Sequence, residues 1–346
     1  MQHIAIIGDG GWGTALALHL AAKKIKVTVW GPDADYLASV RRTGENRLYL
    51  PGISLPDNIA WTANCAEAVA DANLVILAVP SKYCRSVFQK FTGLIGKDYP
   101  LLSVSKGLDP STGKRITEIA AEHFHDRRVA VLSGPSHAEE VAKNIPTAVV
   151  IAAADHNLAV RLQKAVMSPN FRVYTSDDII GVELGGALKN IIAIAVGISD
   201  GIGFGDNTKA ALITRGLAEI TRLGCALGGS FETFAGLSGM GDLIVTCTSH
   251  WSRNHAVGER LGKGEKIETI TASMKQVAEG VTTSAIVQKI ARQMNVKTPI
   301  IDEVYSVIYH GKNPQAAVKS LLGREARPEQ DAIKAKGRRP KSENQK

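Results

Sequence analysis

Apolar residues along this chain come in two textures that change over near residue 178. In the first half, short β-branched runs alternate with amphipathic stretches. His3 to Ile7 reads as a strand, Thr14 to Lys24 as a helix and Val27 to Trp30 as a second strand. Further strands are predicted at Leu74 to Val79, Leu101 to Ser105, Ala130 to Leu132, Ala148 to Ala152 and Arg172 to Tyr174, several ending at Pro, Gly or Ser. Such alternation predicts right-handed βαβ units around a mostly parallel sheet. Beyond 178, long Ala/Gly/Leu/Ile segments with helical periodicity take over, giving helices near 179–198, 208–226, 253–262, 283–294 and 300–310. The expected division is a sheet-bearing domain over 1–178, a helical domain over 179–323 and a tail over 324–346.

The segment from Ile179 to Ile198 is mostly apolar and nominally long enough to span a bilayer. Glu183, Lys189 and Asn190 interrupt it, and a charge at the centre of a membrane helix costs about 2.5 to 3.5 kcal/mol. A buried helix of a soluble protein is therefore expected, without stable membrane insertion. A core helix should avoid lysine as well, so Lys189 calls for a reason. Either its stem snorkels to the rim, or it faces a domain cleft where burial lowers its pKa and its ammonium can hydrogen-bond a substrate oxygen. The residue's chemistry leaves both readings open.

Composition narrows the class. With 346 residues, 45% hydrophobic and only 5% aromatic, the chain suits packed helices and buried parallel strands better than an all-β sandwich. Of the net charge of +8, half lies in 324–346, where eight Lys/Arg face four Asp/Glu without apolar periodicity, as in a disordered basic tail. The body is only mildly basic, which suits an anionic metabolite, and no nucleic-acid partner is expected. Cys65, Cys84, Cys225 and Cys247 form no C-x-x-C pair and have no nearby His array, so neither a metal site nor a disulfide framework is expected. The opening MQHIAIIGDGG lacks a basic leader, a long apolar core or a cleavage site, so nothing in it suggests export.

Directly after the first strand, Gly8, Gly10 and Gly13 fill G-x-G-x-x-G and lead into a helix. The first glycine permits a tight turn, the second lets backbone approach a pyrophosphate, the third allows close packing of helix on strand, and the helix N-terminus attracts the anion. In this position the motif predicts a Rossmann-like, dinucleotide-binding α/β domain ahead of the all-helical one. Past the second strand the chain reads Trp30-Gly31-Pro32-Asp33. The absence of an arginine there favours NAD over NADP, and Asp33 is either a ribose ligand or a turn residue. Lys106, in S-K-G at the end of a predicted strand, stands where open parallel sheets bind ligands, or else in an exposed loop. In T-S-H-W-S-R-N-H, residues 248–255, Ser252 can cap the following helix while Arg253 and Asn254 present donors to a phosphate; the plainer reading is a solvated helix start.

Taken together, these stretches resemble the NAD(P)-dependent glycerol-3-phosphate dehydrogenases of bacterial type. The likeness is carried by G-D-G-G-W-G-T-A at Gly8, S-K-G at Ser105, S-G-P-S-H-A at Ser133 and G-A-L-K-N-I-I-A-I-A-V-G at Gly186. It continues through G-F-G-D-N-T-K-A-A at Gly203, G-M-G-D-L at Gly239, S-R-N at Ser252 and V-A-E-G at Val277, covering about 1–322 in family order. The resemblance implies hydride transfer between NAD or NADP and a small phosphate substrate, interconverting dihydroxyacetone phosphate and sn-glycerol 3-phosphate for phospholipid synthesis, by a cytoplasmic homodimer. It assigns Lys189 as proton donor and acceptor. Lys106, Gly134, Ser136, Lys189, Asn190, Asp242, Ser252, Arg253 and Asn254 fall to the substrate, and Gly8, Gly10, Gly11, Trp12, Gly13, Lys106, Ala138, Arg253, Val277 and Glu279 to the cofactor. Two departures stand out: Gly11 replaces the serine common in the loop, and Gly31 stands where many relatives carry arginine.

Overall fold

A computed structural model describes residues 2–96, 98–124, 128–274, 276–326 and 328–329. The predicted tail, 324–346, lies largely outside the described residues. Eight strands form one sheet: β1 (His3–Ile7), β2 (Lys26–Trp30), β3 (Ile59–Thr62), β4 (Leu74–Leu77), β5 (Leu101–Ser103), β6 (Val129–Ser133), β7 (Thr147–Ala153) and β8 (Phe171–Ser176). Their order is β3-β2-β1-β4-β5-β6-β7-β8. Every neighbouring pair is parallel except β6 with β7. The central strands carry continuous apolar runs, IAII after His3 in β1 and LVIL in β4, because both faces of a parallel sheet are covered by helices. The chain reverses its direction of growth at β1, between β2 and β4, which sets the glycine-rich turn at the switch point where such sheets take ligands.

Sequence reading missed β3. It is a four-residue edge strand in which Ile59 and Trp61 are buried while Ala60 faces out, too short an alternation to separate from the loop around it. Sequence reading also placed no helix at Phe231–Phe234, Asp242–Thr248, Ile267–Ser273 or Pro314–Leu322. The ends of the elements it did place move by a few residues; the first helix, for example, runs Gly11–Ala22.

From Ile179 onward the described elements are helical. The helix Ile179–Ile202 is the centre of the second half: Asp178 caps its start by accepting from Gly181 N–H at 2.8 Å, and Gly203 ends it at φ +94°. It is long and apolar enough to cross a membrane, yet 89% of its most apolar window is buried inside the fold. Its closest companion is the helix Arg253–Gly262. Gly197 and Gly201 on one helix meet Gly258 and Gly262 on the other, and an added Cβ at Gly197 would collide with the His255 carbonyl, one at Gly258 with that of Ile194. Backbones pack directly here because no side chain separates them. Helices Asp206–Ala226, Glu279–Gln293 and Pro299–His310 complete the layer, enclosing a second apolar core around Leu188, Ile192 and Val196.

The two halves are joined by buried polar contacts as well as by packing. Glu183 accepts from Thr117 N–H at 2.9 Å, from the Thr117 hydroxyl at 2.6 Å and from Arg115 at 3.2 Å. Glu279 accepts from Ser81 N–H at 2.8 Å and from the Ser81 hydroxyl. Leu108, from the sheet half, sits in the helical core.

Candidate active site

The lysine that interrupts the apolar helix does not snorkel. Lys189 is 6% exposed and its ammonium donates to Asp242 Oδ1 at 2.5 Å and to Thr246 Oγ1 at 2.6 Å. Burial lowers its pKa to about 8; the Asp242 carboxylate opposes that fall and the nearby charge of Lys106 adds to it. Asp242 opens the helix Asp242–Thr248, and Thr246 follows one turn later on the same face, donating its own proton to the Asp242 carbonyl at 2.6 Å. An ammonium has three N–H donors; among the described residues two are held by protein, which leaves one for a further acceptor.

Lys106 arrives from the other half. It leaves the sheet just past β5, and its ammonium donates to Asp242 Oδ2 at 2.8 Å, to the Gly134 carbonyl at 2.9 Å and to Ser136 Oγ at 3.4 Å. One carboxylate thus bridges two lysines drawn from the two halves. The glycines before Lys189 make this possible: a Cβ on Gly185 would sit 2.5 Å from the Ser238 carbonyl, and one on Gly186 2.6 Å from Ser133 Oγ and 3.5 Å from the Lys106 stem. Ser238 belongs to a single π-helical turn, Leu237–Gly241, that delivers Asp242. Beside this group lies His137, whose pKa burial, and then the Lys189 charge, push down to about 4; it is a neutral ring at physiological pH.

The other predicted residues fall into two sets. Asn190, Ser252 and Asn254 are committed to one another's surroundings: Asn254 donates to Asn190 Oδ1 at 2.9 Å and accepts from Gly280 N–H at 2.9 Å, while Ser252 caps its helix by accepting from His255 N–H at 3.2 Å. Arg253 is exposed beside them and donates to the Val277 carbonyl at 3.1 Å. Val277 leads to Glu279, whose carboxylate lies 2.8 Å from where a Cβ on Gly107 would be, next to Lys106. Arg253, Val277 and Glu279 therefore gather on the helical side of the same seam.

Across that seam stands the glycine-rich turn. Gly8 adopts φ +123° with its Cβ position filled by the Ala78 carbonyl, the Cβ position of Gly13 is filled by the Gly8 carbonyl, and among the described residues beyond its chain neighbours nothing lies within 4 Å of the Cβ position of Gly10. The helix Gly11–Ala22 has no side-chain cap and no acid in its first turn. Backbone tight on one side, open on the other and positive at the helix end fits a dinucleotide pyrophosphate. Ala138 closes in from the helix Ala138–Ala142, 3.7 Å from the Cβ position of Gly11, and the Tyr49 carbonyl lies 2.7 Å from that position. Gln276 of the helical half donates to the same carbonyl at 3.4 Å.

Sequence comparison agrees with this geometry. The model of the NAD-dependent glycerol-3-phosphate dehydrogenase N-terminus matches residues 3–159, and that of its C-terminus matches 178–319. The chain belongs to the NAD-dependent glycerol-3-phosphate dehydrogenase family. It is 51% identical over 323 residues to glycerol-3-phosphate dehydrogenase [NAD(P)+] of Moorella thermoacetica, covering 93% of this chain and 96% of that one. With the Geobacillus kaustophilus protein of the same name the identity is 48% over 336 residues, 96% of this chain and 98% of the relative. Glycerol-3-phosphate dehydrogenase from Coxiella burnetii superposes with a TM-score of 0.90 at 38% identity, covering 93% and 99% of the two chains.

Within a glycerol-3-phosphate dehydrogenase chain, the two departures acquire a structural reason. At Gly11 the Tyr49 carbonyl leaves no room for a serine side chain without a shift. At Gly31 the space of a side chain is taken by the carboxylate of Asp9. Sequence reasoning passed over Asp9, Thr246, His137 and Ser81. For Thr246 a signal existed, since it stands four residues after Asp242; Ser81 meets Glu279 across 198 positions, and no local pattern announces that.

Proposed function

We propose that this chain catalyses the reversible reduction of dihydroxyacetone phosphate to sn-glycerol 3-phosphate with NADH or NADPH, supplying the backbone of glycerophospholipids. The observation that carries the reading is the buried Lys189 ammonium, held by Asp242 and Thr246 with one donor to spare, at the C-terminal edge of a dinucleotide-binding sheet. Oxidoreductase function with NAD(P) follows from family membership. In this reading the domain of 1–178 holds the cofactor through Gly8, Gly10, Gly11, Trp12, Gly13, Lys106 and Ala138, with Arg253, Val277 and Glu279 reaching across from the domain of 179–323. Lys106, Gly134, Ser136, Asp242, Ser252 and Arg253 bind and orient the substrate, and Asn190 and Asn254 brace the helix starts that face it. When bound, the nicotinamide supplies the hydride.

Negative charge develops on the carbonyl oxygen as the hydride arrives, and the third N–H of Lys189 meets it. The lowered pKa, about 8, makes that ammonium ready to release its proton to the new alkoxide near neutral pH. Asp242 keeps the Nζ in place and balances its charge, while Lys106 steadies Asp242 from the opposite side. Cations at the phosphate end supply binding remote from the reacting carbon, which orients the carbonyl. The same reading makes the protein a cytoplasmic homodimer.

The test follows NADH and, separately, NADPH absorbance with dihydroxyacetone phosphate. Wild type is expected to oxidise the nucleotide, and Lys189→Ala to lose at least about a hundredfold in rate, the low end for general acid catalysis. Near-equal rates would remove Lys189 from the chemistry. No oxidation with either nucleotide would remove the substrate.

A further inference from the structure

The ends of β1 and β2 leave the sheet side by side. Ile7 pairs with Trp30 in the parallel ladder, and Gly8 N–H donates to the Trp30 carbonyl at 2.9 Å, so Asp9 emerges directly over Gly31. Its Cγ and Oδ2 both lie 2.5 Å from where a Cβ on Gly31 would be. Only a glycine at 31 lets the carboxylate rest there. The backbone beneath it is pinned: the Asp9 carbonyl accepts from Asn46 Nδ2 at 2.8 Å and from Thr14 Oγ1 at 3.3 Å, and Asn46 is fully buried, accepting in turn from the Tyr36 hydroxyl at 2.5 Å.

Asp33, the acid expected after the second strand, is otherwise engaged. It is exposed, and its Oδ1 caps the helix Ala34–Thr43 by accepting from Tyr36 N–H at 2.9 Å. Asp9, by contrast, is 9% exposed and comes from the glycine-rich turn itself. The end of the second strand is where a Rossmann sheet meets the adenosine ribose, whose hydroxyls need acceptors and whose 2′-phosphate, in NADP, needs cations.

We propose that Asp9 is the residue that selects NAD over NADP in this chain, its carboxylate accepting from the ribose hydroxyls and standing on the ground a 2′-phosphate would need. Burial, with the charge of Asp33 behind it, holds the Asp9 carboxyl at about 6, so it is charged at neutral pH. A 2′-phosphate carries about −1.5 to −2 there, and like charges brought together in a desolvated site reject one another. Gly31 and Asp9 act as a pair: one leaves the space and the other fills it. The proposal rests on the dinucleotide-binding reading of the glycine-rich turn and deepens it.

The experiment is direct binding of NADH and NADPH to the full chain, read by nucleotide fluorescence without substrate, for wild type, Asp9→Asn, Asp9→Ala and Gly31→Ala. Wild type is expected to bind NADH at least about tenfold more tightly than NADPH, and Asp9→Asn, which removes charge at constant size, to shrink that ratio at least about tenfold, each factor of ten being one decade in Kd. Gly31→Ala pushes the carboxylate aside and should lower the ratio as well, whereas in an Asp9→Ala background it should add little, a coupling that misfolding does not produce. Equal binding of the two nucleotides by wild type, or a ratio in Asp9→Asn within about twofold of wild type, would overturn the assignment. If neither nucleotide bound, the dinucleotide reading and the selection would both fall. Tight nucleotide binding with no turnover of dihydroxyacetone phosphate would remove the substrate alone and leave the selection to be judged by this ratio.

Discussion

A lysine ammonium buried against a carboxylate can be held as a charge or tuned as an acid, and the surroundings of Lys189 do both. Asp242 keeps it charged; burial and Lys106 bring its pKa to about 8 rather than the ordinary 10.5. The protonated form is the acid needed for ketone reduction, so kcat/KM in that direction should fall as pH rises through about 8. Alcohol oxidation needs the neutral amine and should rise over the same interval. Stopped-rate profiles in both directions check this, and a reduction rate flat to pH 10, close to the free lysine value, would show that no such acid is used. Lys189 was legible in the sequence because a charge in the middle of an apolar helix is a local contradiction. Asp9 was not: in G-x-G the intervening residue is unrestricted, and its side chain finds its place only through the pairing of β1 with β2.

At the level of elements, the pairing of Ile179–Ile202 with Arg253–Gly262 does more than fill the core. The second helix begins at Ser252, Arg253 and Asn254, so its seating on the glycines of the first sets how those three groups are presented. Gly197→Ala would drive a methyl into the His255 carbonyl and the Glu259 amide. Overpacking of this kind costs about 1 to 3 kcal/mol. The expected outcome is a lower Tm together with a raised KM for dihydroxyacetone phosphate; a variant with altered Tm and unchanged KM would separate the helix seating from substrate binding. These two helices were readable from periodicity alone, although the first runs on to Ile202 before Gly203 ends it. The Leu237–Gly241 turn and the short helix after it were not, since G-L-S-G-M-G-D carries the composition of a loop and forms a π-turn only because Gly239 and Gly185 admit close neighbours.

For the whole molecule, the contacts Glu183–Thr117, Glu279–Ser81 and Lys106–Asp242 tie a sheet to a helical layer without a separate linker of any length between Ser176 and Ile179. The halves should therefore melt together. Trp12, Trp30 and Trp61 lie in the sheet half and only Trp251 in the helical half, so tryptophan emission follows mainly the first while far-ultraviolet ellipticity weighs the helices. Coincident denaturant transitions by the two probes are expected, and two separated midpoints would mean that the halves are stable alone. The α/β order and the change to helices near 178 were legible because parallel strands are continuous apolar runs; the antiparallel β6–β7 step was not, because a strand's pattern is the same in either direction.

The two lysines that share Asp242 also bear on how such a protein is assayed. Two ammonium groups against one carboxylate leave the constellation short of one negative charge. Sulfate or inorganic phosphate in the medium would then compete with the substrate, raising its apparent KM while the limiting velocity holds, and more steeply than chloride at equal ionic strength, because a doubly charged oxyanion can take the hydrogen bonds that mere screening cannot. Affinities measured in phosphate buffer would look weaker than those in a zwitterionic one.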